Sequence, residues 1–140
     1  MEPAPELIAL IQEYYRASAR GDTAFLAEFV ARDHETIVIG TDAAEWWQGG
    51  DHIVATWTEA WQSRGGLPVV QSEPRAFQVG DVGWIVDRAA WQLPNGRIAP
   101  FRLSAVVRRE GGRWLLAHAH FSVGVPNDAL GEKGESKIEP

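Results

Sequence analysis

The chain has 140 residues, a formal net charge of −6, 45% apolar and 23% charged residues, and no cysteine. A single domain of this length buries roughly 68–70% of its unfolded surface, so it can hold a core unaided. The acidic balance disfavours nucleic acid as a partner, no apolar run reaches the roughly 18 residues of a membrane span, and the lack of cysteine excludes disulfides, thiol nucleophiles and cysteine–zinc centres.

Both lysines, Lys133 and Lys137, lie in the last ten residues, and arginine carries the other positive charges. Schiff-base chemistry and a P-loop lysine are therefore excluded from the body of the chain. The first fifteen residues have no basic segment and no small-residue cleavage pattern. No secretory signal is expected, and a cytoplasmic location is. Seven tryptophans stand against two tyrosines and five phenylalanines. Their bulk suits an aromatic-lined core or cavity, each indole bringing one N–H that wants a partner.

Helical period comes first. Leu7, Leu10, Ile11, Tyr14, Tyr15 and Ser18 fall on one face, with Gly21 as the stop. Asp22 can cap a second helix bearing Phe25, Leu26, Phe29 and Val30. His34–Gly40 is β-branched and reads as a strand. Residues 41–50 read as a loop containing Trp46 and Trp47. Asp51 is the expected cap of a third helix carrying Ile53, Val54, Trp57 and Trp61, ended by Gly65, Gly66 and Pro68. Four long strands follow: Val69–Val79, Trp84–Leu93, Arg97–Arg109 and Arg113–Val123. The turns between them are short, so neighbours run antiparallel. Residues 127–140 read as a polar, loose tail after a domain over 1–126. Three helices followed by a strand meander predict an α+β fold. The helices pack in a strongly curved, mostly antiparallel sheet of about five to six strands.

The last two strands hold the densest chemistry. With three residues unpaired in the turn, Ser104 is expected opposite His118 and Arg102 opposite His120. One face then carries Arg102, Ser104, Val106, Leu116, His118, His120 and Ser122. The other carries Leu103, Ala105, Val107, Leu115, Ala117, Ala119 and Phe121. The first face, apolar at one end and polar at the other, is patterned like the wall of a small-molecule pocket. Histidines two apart on a strand can ligate a metal, work as acid and base, or simply be hydrogen-bonded. No third ligand stands in a recognisable metal spacing, and neither a metal nor a cofactor is expected. Arg102 suits a planar anion through its guanidinium fork, or pairs with a carboxylate such as Asp87. Asp87 and Arg88 point to opposite faces, so one of them can enter a pocket; Arg88 is placed with the ligand-binding residues. No nucleophile elbow, phosphate loop or HExxH pattern occurs.

Three segments resemble one family. Gly40-Thr-Asp-Ala-Ala-Glu45-Trp46-Trp-Gln-Gly49 resembles the loop before its third helix. Arg102-Leu-Ser104 resembles an Arg-x-Ser/Thr pair on the penultimate strand, and Gly112-Arg-Trp114-Leu-Leu-Ala-His118-Ala-His120-Phe-Ser122 resembles the last strand. Together they look like a SnoaL-like domain of the nuclear transport factor 2-like superfamily, over about residues 5–126. They are similar also to ketosteroid isomerases and to the calcium/calmodulin-dependent kinase association domain. The resemblance implies a cone-shaped cavity and homodimers across the sheet. Fold alone does not choose among the family's isomerases, cyclases, dehydratases and non-catalytic modules. Tyr14 matches the helix-1 tyrosine that donates to the oxyanion in ketosteroid isomerases. Their base falls near Val38–Gly40, where no carboxylate stands, and their second donor falls at Ser104. Aligned on those enzymes, Phe121 rather than His120 enters the cavity.

Two readings follow. In the first, the protein binds a small apolar or anionic molecule, with walls from Tyr14, Trp46, Trp57 and Trp61 and a polar end from Arg88, Arg102, Ser104, His118 and His120. His118 or His120 could then serve as acid/base, with Arg102 or Tyr14 as anion stabiliser, in a lyase, isomerase or cyclase acting on a polyketide- or steroid-like substrate. In the second, the chain is a non-catalytic homo-oligomerisation or partner-binding module whose apolar strand face is the interface.

Overall fold

A computed structural model describes residues 1–134. Helix α1 (Pro5–Arg20) carries Leu7, Ile11, Tyr14 and Tyr15 on its buried stripe and ends at Gly21, whose φ of 70° is left-handed. Asp22 caps α2 (Thr23–Phe29) by accepting from the Phe25 N–H. Helix α3 (Gly50–Arg64) starts two residues earlier than expected. Its cap position is Gly49, and Asp51 caps nothing; it pairs with Arg32 at 2.9 Å instead. Gly50 is buried so tightly that a methyl there would run into the Ala31 carbonyl and the Arg32 backbone. None of the described helices is long and apolar enough to cross a membrane.

The strands are β1 (Glu2–Pro3), β2 (Ile37–Ile39), β3 (Trp46–Gln48), β4 (Val69–Val70), β5 (Arg75–Val79), β6 (Val82–Gln92), β7 (Ile98–Glu110) and β8 (Arg113–Ser122). They form one eight-stranded sheet in the order β1-β5-β6-β7-β8-β2-β3, with β4 also pairing β6. All pairs are antiparallel except β2 with β8. The count exceeds the expected five to six because short pieces escape periodicity. β1 and β4 have two residues each, and β3 has three inside what reads as a loop. The expected strand Val69–Val79 is broken at Gln71, where φ is 58°. Within the expected tail, residues 127–134 form a 3₁₀ segment; the rest of it, 135–140, lies outside the described residues.

The three helices fill the concave side of the sheet. The core joins Leu7, Ile11 and Tyr15 of α1, Leu26 and Phe29 of α2, and Ile53 and Trp57 of α3 to inward residues of the sheet such as Ile85, Phe101, Leu103, Ala105 and Val107. Fully burying a large apolar side chain of this kind contributes about 1.5–3 kcal/mol.

The register of the last hairpin differs from the expected one by two residues. Arg102 stands opposite Ser122, Ser104 opposite His120 and Val106 opposite His118. The pairing then slips between Val106 and Val107, whose partner is Leu116. Ala117 is the extra residue of a bulge, and the bulge reverses inward and outward for everything before it on β8. Leu116, not Leu115, is therefore the buried neighbour of Val107.

One ion pair ties the loop after α2 to the sheet. Arg108 donates from both terminal nitrogens to Asp33, at 2.6 and 3.1 Å. The guanidinium holds the Asp33 carboxyl below its ordinary value of 3.8. A carboxyl depressed in the folded state adds stability that is full above its unfolded pKa and lost as pH falls through the folded one. Asp33→Asn is therefore expected to lower the urea midpoint at pH 7, and the gap to the parent should close only below about pH 4. A gap that stays constant into that acid range would sink the assignment.

Candidate functional site

The wide end of the cone is open, and a cavity of about 540 Å³ enters it between α1, α3 and the sheet. Helical spacing aims its walls. Tyr14 and Ser18 are one turn apart on α1, and Trp57 and Trp61 are one turn apart on α3. Trp47 from β3, Trp91 from β6 and Phe121 from β8 close the far side. The rings touch in a chain. Tyr14 lies 6.4 Å from Trp57 and 6.1 Å from Trp61; Trp57 meets Trp47 edge-on at 5.7 Å and Phe121 at 6.4 Å. Trp91 lies on Phe101 at 4.0 Å beneath them. The tight approach of α1 to the loop after α3 requires Gly66, where a methyl would collide with the Ser18 carbonyl.

Few polar groups interrupt this surface. Burial pushes the Tyr14 hydroxyl far above the ordinary tyrosine range, so it stays protonated. It has no hydrogen-bond partner among the described residues and is a donor free for a ligand. Tyr15, also on the wall, donates instead to the buried Asp87 carboxylate at 2.7 Å. Burial first, and Asp87 second, push its hydroxyl up as well. Glu45 and Arg64 bring the only charges to the described lining. One Glu45 oxygen accepts from the Asp42 N–H at 3.0 Å, and its side chain lies so close over Gly40 that a methyl there would collide with it.

The expected site residues divide between the two faces of the sheet. Tyr14, Trp57 and Trp61 line the cavity as expected. Trp46 does not: it is 63% exposed on the opposite side of the edge strand from Trp47. Arg88, Arg102, Ser104, His118 and His120 share the outer, convex face, because Phe101, Leu103 and Phe121 take the inner one. The expected polar end therefore does not meet the cavity. His118 Nδ1 donates to the Ile37 carbonyl at 2.7 Å, as an ordinary strand histidine does. Arg102 Nε donates to Ser122 Oγ at 3.1 Å. Of the Asp87–Arg88 pair, Asp87 is the inward member, and it meets Tyr15 and Ser72 rather than Arg102.

Tyr15, Glu45, Trp47 and Trp91 are among the lining residues that sequence reasoning passed over. A usable signal existed for Trp91, which shares strand parity with Asp87 and Ala89, and for Phe121, which alignment on the ketosteroid isomerases points inward. For Trp46 against Trp47 the residue types offer none. Among the described residues no group of three or more His, Asp or Glu comes together to hold a metal.

A family model described as a SnoaL-like domain matches residues 7–126. A search of curated proteins finds no match. Among solved structures, an NTF2-like protein of unknown function from Pseudomonas putida KT2440 superposes with a TM-score of 0.70 at 20% identity, over 97% of this chain and 95% of that one. A protein described as a candidate calcium/calmodulin-dependent protein kinase type II association domain from Thiobacillus denitrificans gives 0.71 at 20% identity, over 89% and 98%. A candidate ketosteroid isomerase from Parabacteroides distasonis gives 0.64 at 15%, over 84% and 86%. Identities this low speak to the fold, which all three share with this chain.

Proposed function

We propose that this chain, which belongs to the SnoaL-like domain family, binds an apolar, ring-bearing small molecule in the cone cavity, with the Tyr14 hydroxyl donating to an oxygen of the ligand. The observation that carries this reading is an open, aromatic-walled space of about 540 Å³ lined by Tyr14, whose hydroxyl has no hydrogen-bond partner among the described residues. Apolar walls with one or two fixed polar groups are how such pockets gain both affinity and orientation. A cavity plugged by its own tryptophans would have favoured the oligomerisation module. Histidine acid–base chemistry finds no support here, because both rings lie across the sheet from the cavity. Glu45 is the one carboxylate on the described lining, so any proton transfer in the cavity would fall to it.

Four tryptophans line the cavity, which makes intrinsic fluorescence the natural readout. 2-Naphthol is expected to change it saturably, and Tyr14→Phe to weaken 2-naphthol about five-fold, the value of one neutral hydrogen bond near 1 kcal/mol. Naphthalene, which has no oxygen, should bind both proteins alike. No saturable change with either compound would end the reading.

A second reading concerns the outer face, where Val79, Val82 and Val86 are 59%, 48% and 39% exposed beside Trp84. Apolar residues clustered on a sheet face favour a partner surface, and a homodimer through this half of the sheet is compatible with an occupied cavity.

A further inference from the structure

The other half of the outer face is basic, and the register shows how. Arg88 on β6 stands directly opposite Arg102 on β7. Directly opposed cross-strand residues have Cβ atoms about 4.5–5.5 Å apart, and like charges in that position destabilise a sheet. Both side chains are exposed, and neither is paired with a carboxylate among the described residues. Relief from the neighbouring strands is also missing. The outward residues of β5 to β8 are arginine, histidine, serine, glutamine, proline or apolar, until Glu110 at the far end of β7, which is spent on Arg108. This patch sits in a chain of net charge −6, so its sign is a local feature and not a reflection of overall composition.

The groups around the pair are donors. Ser122 stands across from Arg102 and already accepts from its Nε, which anchors the guanidinium and leaves its terminal nitrogens free. Ser104 and His120 form the next opposed pair along the same strands. Gly124 lies against the same guanidinium, 3.5 Å from its Cζ to where a Cβ would stand, so the chain leaving β8 walls one side. Two guanidinium forks with flanking hydroxyls present more donors than the two oxygens of a planar carboxylate can use, and suit the four oxygens of a tetrahedral anion. A second copy laid face to face would bring the same arginines and, from the outward positions of β5 to β8, no carboxylate but Glu110, which is already paired with Arg108.

We propose that Arg88 and Arg102, flanked by Ser104, His120 and Ser122, form a phosphate-binding site on the outer face of the sheet, taking inorganic phosphate or a phosphate monoester. The site is separate from the cavity and does not depend on what the cavity binds.

The probe is inorganic phosphate added to the full chain, against sodium chloride and sodium acetate at matched ionic strength. Phosphate in excess of its Kd should raise the Tm by about 3–5 °C above chloride, because binding to the folded state alone stabilises it. Acetate should give a smaller rise. Arg88→Gln and Arg102→Gln each remove one of the opposed charges and should fold without loss in chloride. Each should lose most of the phosphate response. Arginine side-chain NMR signals of the wild type, followed through the same titration, supply a readout that needs no variant: two Nε–Hε resonances should shift together and saturate. A phosphate response no larger than that of chloride, or one unchanged in both variants, would overturn the site. Acetate matching phosphate would overturn the tetrahedral class. A response that grows with protein concentration, with dimer formed in sedimentation, would place the anion between two copies and overturn a site built by one chain.

Discussion

Phe101→Ala is expected to lower the unfolding free energy by about 3–5 kcal/mol, the range for truncating a buried phenylalanine. Phe101 is 2% exposed on the inner face of β7. Its ring stacks on Trp91 at 4.0 Å with 21° between planes, meets Tyr15 edge-on at 6.3 Å, and lies 6.0 Å from Phe121. Three of its neighbours are therefore cavity-lining residues. The substitution removes the support under Trp91 and Phe121 and deepens the cavity from below. Urea denaturation measures the loss, and tryptophan fluorescence of the folded variant should shift because Trp91 loses its stacking partner. A cost below about 1 kcal/mol would mean that the sheet collapses to refill the space, and that the floor is softer than its packing implies.

Asp87→Ala should cost about 3 kcal/mol or more, by a different mechanism. The carboxylate is 5% exposed and accepts three hydrogen bonds, from the Tyr15 hydroxyl at 2.7 Å, the Ser72 hydroxyl at 2.6 Å and the Glu73 N–H at 2.9 Å. Deleting it leaves three donors without their acceptor, each worth about 1–3 kcal/mol when water cannot replace it. The Tyr15 hydroxyl is the most enclosed of them. Tyr15→Phe in the Asp87→Ala background should therefore recover part of the loss, and the two changes should be far from additive. Additive costs would show that Asp87 does not act through Tyr15. The same carboxylate fastens residues 72–73 to β6, just after the strained backbone of Gln71. Amide exchange in that connection should accelerate in the variant while the β6–β7 ladder stays protected.

The helices are legible in the sequence because their apolar period is long and their ends are marked. Gly21 and Asp22 bracket the α1–α2 junction in chemistry that one can name without coordinates. The long strands β6, β7 and β8 are legible for a similar reason, being bounded by turn residues. The short strands are not, since two or three residues carry no period. Tyr14, Trp57 and Trp61 could be placed in a cavity because a helix face is fixed by spacing within one segment. The polar cluster of β7 and β8 was misplaced because a strand has only two faces, and nothing local says which is concave. The answer depends on what packs against each one.

The sequence by itself determined the class of this protein: a lysine-free, cysteine-free body of α+β type, with three helices to fill a curved sheet and an excess of indole to line it. Tertiary structure decided which residues meet. A single extra residue at Ala117 sets the parity of β8, and the packing of α1 and α3 on Phe101 and Leu103 selects the inner face. Those two facts carry Phe121 into the cavity and His118, His120, Arg102 and Arg88 out of it. Pairing register and layer packing are long-range properties, fixed by contacts between residues far apart in the chain. Local periodicity, which repeats identically on either face, holds no record of them.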